Sequence, residues 1–261
     1  MAHQLVRDGV WGQHPRLGRA EVRAASHTVA VATRADVEDV LDALAVIAGP
    51  QQSARATIDP DRAAAAACRA GAHLAELARV GARLAFATAT PASLLSLHET
   101  LAVAARTAGA RVSTAREAGP YASGRRLWWH DAVAVATDGR ALVEEHRAAA
   151  ADEWLLAVGH PALVVADGVF AAHAIAAGIP TIAFTDLDEP GPALDARLGR
   201  AVLVVPAAGY RPPTAYEALA GLIVGTLRPV PVTHDGDGAR LGPHLATETP
   251  FPYAAPPSGE G

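Results

Sequence analysis

Four short runs of this chain are apolar almost without interruption: RLAFATA from Arg83, ALVVAD over Ala162 to Asp167, TIAFTD over Thr181 to Asp186, and AVLVVP over Ala201 to Pro206. A strand with one face in water alternates apolar and polar residues, so unbroken runs of this length belong to strands covered on both faces. Helices packed above and below a parallel sheet meet that requirement. The intervening segments fit, because TPASLLSLHETLAVAARTAG reads as a helix between RLAFATA and a further strand, ARVSTAR, which makes a βαβ unit. Val169 to Ala177 reads as a helix closed by Gly178, and Thr214 to Leu227 as the last helix. The expected fold is α/β, Rossmann-like and three-layered, with a mostly parallel sheet.

Upstream, TVAVAT from Thr28 to Thr33 has the composition of a short strand. From Ala35 to Ile47 apolar residues recur at helical spacing (Val37, Val40, Leu41, Leu44), and Asp36, Glu38 and Asp39 stand in the first turn, where carboxylates suit the helix dipole. Asp59 before Pro60 has the form of an N-cap followed by proline at the first helical position, leading an Ala-rich helix to about Val80. Between Arg126 and Asp138 two β-rich pieces flank His130 and Asp131, as in a hairpin or a bent pair of strands. Adjacent Trp128 and Trp129 then face opposite sides of the sheet, one toward the core and the other free to cover a pocket or a partner surface. A helix is expected from Ala141 to about Val158. After Arg228, Pro and Gly recur without period, so the chain divides into an N-terminal extension (1–34), a single α/β domain (35–227) and a tail (228–261) expected to be disordered.

Composition narrows the function. A length of 261 residues with 51% hydrophobic and 19% charged side chains supports one substantial core. Charged residues interrupt every apolar stretch before the roughly 18 to 20 residues of a bilayer span, so no membrane partner is expected. The start, MAHQLVRDGVWGQ, lacks the flanks of a signal peptide, and Cys68 is the single cysteine; the cytoplasm is the expected compartment. The net charge of -5, with scattered arginines, offers no stripe for nucleic acid. There is no lysine at all, which excludes a Walker-A loop, a pyridoxal-phosphate Schiff base and a lysine aldolase. A homo-oligomer is compatible with this composition but is not specified by it.

In a parallel sheet, ligands gather beyond the carboxyl ends of the strands, where helix N-termini present unpaired N–H groups. Four such ends are polar here. After the first comes Ala89-Thr90-Pro91-Ala92-Ser93, in which Thr90 is placed to cap, Pro91 fits the first helical position and Ser93 adds a hydroxyl, a combination able to hold phosphate or simply to start a helix. Asp138, Asp167 and Asp186 each end a predicted strand, with Gly139 and Gly168 following the first two. If those strands are neighbours, three carboxylates reach one edge and suit an oxygen-ligated cation such as Mg²⁺ or Mn²⁺, or general acid/base work; singly, each is an ordinary turn residue. His146, His98 and His173 lie on predicted helices, where a lone histidine is usually packed or solvated.

The segments RLAFATATPASLLSLHETLA, AVAVATDGRALVEEH, LVVADGVFAAHAIAAGIPTIAFTDLDEP and YRPPTAY resemble, in order and pattern, a family of actinobacterial phosphatases over about Arg83 to Leu222. In that family the first strand ends in Ala-Thr-Gly-His-Pro, the second carries Ser-Asp-Gly with a later histidine, and the third ends in Asp-His-Gly. The matching positions here are Thr88-Ala89-Thr90-Pro91, Thr137-Asp138-Gly139 with His146, and Asp167-Gly168, so two histidines are replaced. Ala208-Gly209-Tyr210 stands before Arg211 where the family has Asp-Asn. The resemblance implies a hydrolase acting on a small phosphorylated metabolite. Asp138, His146 and Asp167 would be catalytic, and Thr88, Thr90, Ser93, Gly139, Gly168 and Arg211 would contact substrate. Asp138, Asp167 and Asp186 would ligate the metal. The lost histidines imply the alternative of a catalytically reduced paralogue that binds a phosphorylated small molecule as a sensor or assembly subunit.

Overall fold

The computed structural model describes residues 13–14, 42–46, 49, 56–115, 120–122, 124–187 and 189–227. The expected strand at Thr28 to Thr33, most of the helix expected over Ala35 to Ile47, and the tail 228–261 lie outside the described residues. Residues 42–46 are helical. A two-residue strand β1 (Gln13–His14) pairs antiparallel with β2 (Ala56–Thr57).

Helix α1 (Pro60–Arg79) starts as its sequence predicts, with the Asp59 carboxylate accepting the N–H groups of Asp61 and Arg62. There follow β3 (Arg83–Ala87), α2 (Pro91–Thr107), β4 (Arg111–Val112), β5 (Pro120–Ala122), β6 (Arg125–His130), β7 (Val133–Thr137), β8 (Leu142–Val143) and α3 (Ala148–Val158). The chain closes with β9 (Leu163–Asp167), α4 (Gly168–Ala176), β10 (Thr181–Thr185), α5 (Gly191–Arg197), β11 (Val202–Pro206), a 3-10 turn at Pro213–Tyr216 and α6 (Glu217–Leu227). None of the helices among the described residues is long and apolar enough to cross a membrane.

The sheet has nine strands in the order β11-β10-β9-β3-β7-β6-β5, with β4 beside β3 and β8 beside β7. Strands β11, β10, β9, β3 and β7 are parallel, as is the β3–β4 pair, while β5, β6 and β8 add antiparallel pairs at one side. The five long apolar strands β3, β7, β9, β10 and β11 lie between two buried layers. Leu84, Phe86, Leu163, Val165, Ile182 and Phe184 pack toward α1, α2 and α6. Their alternates Ala85, Ala87, Ala134, Ala166 and Ala183 face the other side, where small sheet residues leave room for the large rings of Trp154 on α3 and Phe170 on α4. Those two rings meet edge to face at 5.4 Å.

Two sequence expectations change, and one element is added. The helix expected from Ala141 begins only at Ala148, because Leu142–Val143 first pairs back onto β7 as β8 across the Asp138-Gly139 turn. The buried Glu145 then accepts the His146 and Arg147 N–H groups and so sets the helix start. The strand expected over ARVSTAR is reduced to Arg111–Val112, since β7 takes over as the neighbour of β3 above that point. Helix α5, rich in Gly and Pro at its start, was not legible. The β6–β7 hairpin is present, and its register puts Leu127 and Trp129 toward the α3–α4 side while Trp128 stays 43% exposed.

Candidate functional site

Strand β3 is the point where the sheet order reverses. The chain proceeds from it toward β7 on one side, and later fills β9, β10 and β11 on the other. The crevice outside the carboxyl ends of two such neighbours is where open α/β sheets bind ligands. Ala87 of β3 is level with Ala166 of β9, so the turn Thr88 to Thr90 and the side chain of Asp167 meet at that crevice.

Asp167 is buried, and both of its oxygens are engaged. Oδ1 accepts the Ala89 N–H at 2.7 Å and lies 3.4 Å from the Thr90 hydroxyl; Oδ2 is 3.0 Å from Nε2 of His98. His98 is wholly enclosed on the inner face of α2, with its ring edge-on to Phe184 at 5.3 Å. Its Nδ1 has no hydrogen-bond partner, so the geometry assigns the shared proton to Nε2; an N–H on Nδ1 would be buried without an acceptor. Thr90 is the N-cap residue of α2, yet its hydroxyl makes no capping bond and turns to Asp167. Pro91 has no N–H and the Ser93 and Leu94 N–H groups donate to Thr90 O, so in the first turn of α2 the Ala92 N–H is the one left without the usual capping oxygen, at the positive end of the helix dipole.

Two buried groups hold this arrangement from behind. The Glu145 main-chain N–H donates to Ala89 O at 3.0 Å, and its enclosed carboxylate receives the Tyr121 hydroxyl at 2.5 Å, Arg125 at 3.2 Å, and the two N–H groups at the start of α3. Burial pushes the Glu145 carboxyl up, but the bonds from Tyr121, the Arg147 N–H and Arg125 outweigh it and hold it below the ordinary range. Because the folded value is lowered, Glu145 contributes its stability fully above the ordinary glutamate pKa of about 4.3 and loses it as pH falls through the folded value. Urea midpoints should therefore show Glu145→Gln less stable than the parent by about 1 to 3 kcal/mol at pH 7, with the gap shrinking below about pH 4. A gap that stays constant down to pH 3 would refute the charge-dependent part.

On the other flank, Asp186 accepts the Leu187 N–H at 2.6 Å and the Gly209 N–H, tying the end of β10 to the loop after β11. Tyr216 donates to Ala208 O at 2.5 Å. Burial pushes its hydroxyl up to about 12 against the lowering effect of the Arg211 N–H, and the carboxylates of Asp186 and Asp167 add to the rise, so Tyr216 stays protonated and keeps its hydrogen bond to Ala208 O.

The residues expected from sequence separate into two groups. Thr88, Thr90, Ser93, Asp167 and Gly168 lie at the β3–β9 crevice, with Thr88 and Ser93 buried and Thr90 partly open. Asp186 stands one strand away on the same edge. Asp138 and Gly139 instead form the exposed β7–β8 turn, where the Ala141 and Arg140 N–H groups hold the Asp138 carboxylate below its ordinary range. His146 is exposed in the loop before α3, 3.8 Å from Glu144, and Arg211 is exposed beside Tyr210. The ligand atoms of Asp138, Asp167 and Asp186 do not all fall within 4.8 Å of one another. Among the described residues, the group of three or more His, Cys, Asp or Glu side chains whose ligand atoms fall within 4.8 Å of one another is Glu99, His130 and Asp131, on α2 and the β6–β7 turn. Each expected carboxylate is already committed to backbone N–H groups.

The Phosphatase family model matches this chain over residues 24–228. The chain belongs to that family. The matched span of this Phosphatase-family member includes all nine strands of the sheet and both sides of the crevice. A Streptomyces coelicolor protein named as a phosphatase is 29% identical to it over 198 residues, which is 69% of this chain and 75% of the relative. No solved structure matches the chain. The resemblance read from the strand ends is thus borne out at the level of the family.

Glu145 and Tyr216 are the groups that sequence reasoning passed over, and His98 it read as an ordinary packed or solvated helix residue. His98 shares a helix face with Leu94, Leu97 and Leu101, which places it inside, and a buried histidine requires a polar partner; the strand-end Asp167 was the available one. For Glu145 no local pattern distinguishes it from Glu144 beside it.

Proposed function

We propose that this chain is a phosphoric-monoester hydrolase acting on a small phosphorylated metabolite at the β3–β9 crevice. The observation that carries this reading is Asp167, placed at the reversal of strand order with Ala89, Thr90 and His98 around it and the uncapped start of α2 in front. The helix N-terminus and the Thr90 hydroxyl receive the phosphate oxygens. Asp167 acts as the general base, taking a proton from the attacking water as its oxygen bonds to phosphorus; the P–O bond to the ester oxygen breaks, and that oxygen takes a proton from solvent water and leaves as the alcohol. His98, enclosed behind Asp167, is a positioning residue. The family name and the relative's name support phosphatase chemistry; the metabolite class is inferred from the scattered placing of the arginines in the sequence.

The test is phosphate release from a set of phosphorylated metabolites, with and without Mg²⁺ and Mn²⁺. Release is expected, and it should persist within about twofold in Asp138→Ala and His146→Ala, whose exposed side chains are engaged away from the crevice, Asp138 by the Arg140 and Ala141 N–H groups and His146 beside Glu144. Loss of release in either variant would move the centre to the β7–β8 turn. Thermal shift by a metabolite with no release would instead mark the catalytically reduced paralogue.

A further inference from the structure

Strand β7 pairs with β3 only at Val133 and Ala134, so Val135 to Thr137 run on past that contact, flanked by β6 and β8. Arg126 and Trp128 are two apart on β6 and share the face opposite to Leu127 and Trp129. Together with Thr137, Gly139, Arg140 and Leu142 they line an open cavity of about 330 Å³. An exposed indole, an exposed leucine and two guanidinium groups therefore surround one hollow, and none of its lining residues is acidic. The one carboxylate in the adjoining turn, Asp138, is taken up by the N–H groups of Arg140 and Ala141. Among the described residues, the Arg126 guanidinium makes no hydrogen bond or ion pair.

We propose that this cavity binds a small molecule made of one flat conjugated ring carrying an anionic group. The ring lies on the Trp128 face, where stacking exploits a large rigid surface, and the anion is held by Arg126 and Arg140, whose planar donors match a carboxylate or phosphonate. The volume sits at the lower end of small-molecule pockets, which favours a ligand of one ring system. This site is separate from the β3–β9 crevice and does not depend on the hydrolase reading.

The experiment titrates the whole chain by calorimetry with indole-3-acetate and phenylphosphonate, neither of which has an ester to cleave. Acetate, ethylphosphonate and indole are the single-feature controls. Both ring-bearing anions are expected to bind at least about tenfold more tightly than either kind of control. Trp128→Ala and Arg126→Ala should each weaken them about tenfold or more with an unchanged melting temperature, and Asp167→Asn should leave indole-3-acetate affinity as it was. Equal affinity for ring-bearing and ring-free anions overturns the proposal. So does binding that survives both substitutions, or no saturable binding of either probe up to about 5 mM.

Discussion

Asp167→Asn is expected to slow phosphate release by about 100-fold or more and to lower the free energy of unfolding by about 1 to 3 kcal/mol. Asparagine keeps the shape but offers one oxygen where the carboxylate offers two. Either the Ala89 N–H or the His98 Nε2–H must then face an amide N–H, and one buried donor loses its acceptor. Water also loses its base. Single-turnover phosphate release and urea unfolding of the same preparation read the two effects separately. If release falls while stability is unchanged, the Ala89 and His98 bonds contribute little to the fold; if release is unchanged, Asp167 is a structural residue and the proposed centre is wrong.

The second large effect concerns two positions that compete for one volume. Gly168 has φ +52, and a Cβ built there would stand 2.7 Å from the Cβ of Ala89. Gly168→Ala therefore carries two costs, about 1 to 2 kcal/mol for the left-handed backbone and about 1 to 3 kcal/mol for the overlap. Ala89→Gly removes the second but not the first. The double variant should be more stable than Gly168→Ala alone, with a coupling of about 1 to 2 kcal/mol in a thermodynamic cycle. Additive effects would show that the turn shifts to make room. In the pattern that the sequence resembles, glycine stands at the position of Ala89 and histidine at that of Gly168, which read together make one exchange of volume. A histidine at 168 would be tested with glycine at 89 already in place.

The layered fold was legible because unbroken apolar runs such as ALVVAD and TIAFTD have few ways to hide both faces, and both are central strands here. The Asp59-Pro60 start was legible because capping is local. The stretch from Ala141 was misread for the opposite reason. Its alanines and glutamates favour a helix, while pairing of Leu142 with Thr137 and the bonds of Glu145 to residues some twenty positions away decide otherwise. The site follows the same rule: strand-end polar residues announce themselves, and Asp167 and Thr90 are such residues. Asp138 has the same local signature, and only strand pairing shows that its glycine turn closes a hairpin instead of opening a helix. His98 required knowing which strand end its helix covers.

The bond from Ala89 to Asp167 joins residues 78 apart, and the strands that carry them lie side by side at the middle of the sheet. Closing so long a loop is slow, because its entropy must be lost before any contact rewards it. During synthesis β3 emerges with its apolar faces complete and must wait for some eighty more residues before β9 can cover its flank. The crevice therefore cannot form before β9 has been made, and a chain interrupted ahead of Asp167 has no partial version of it.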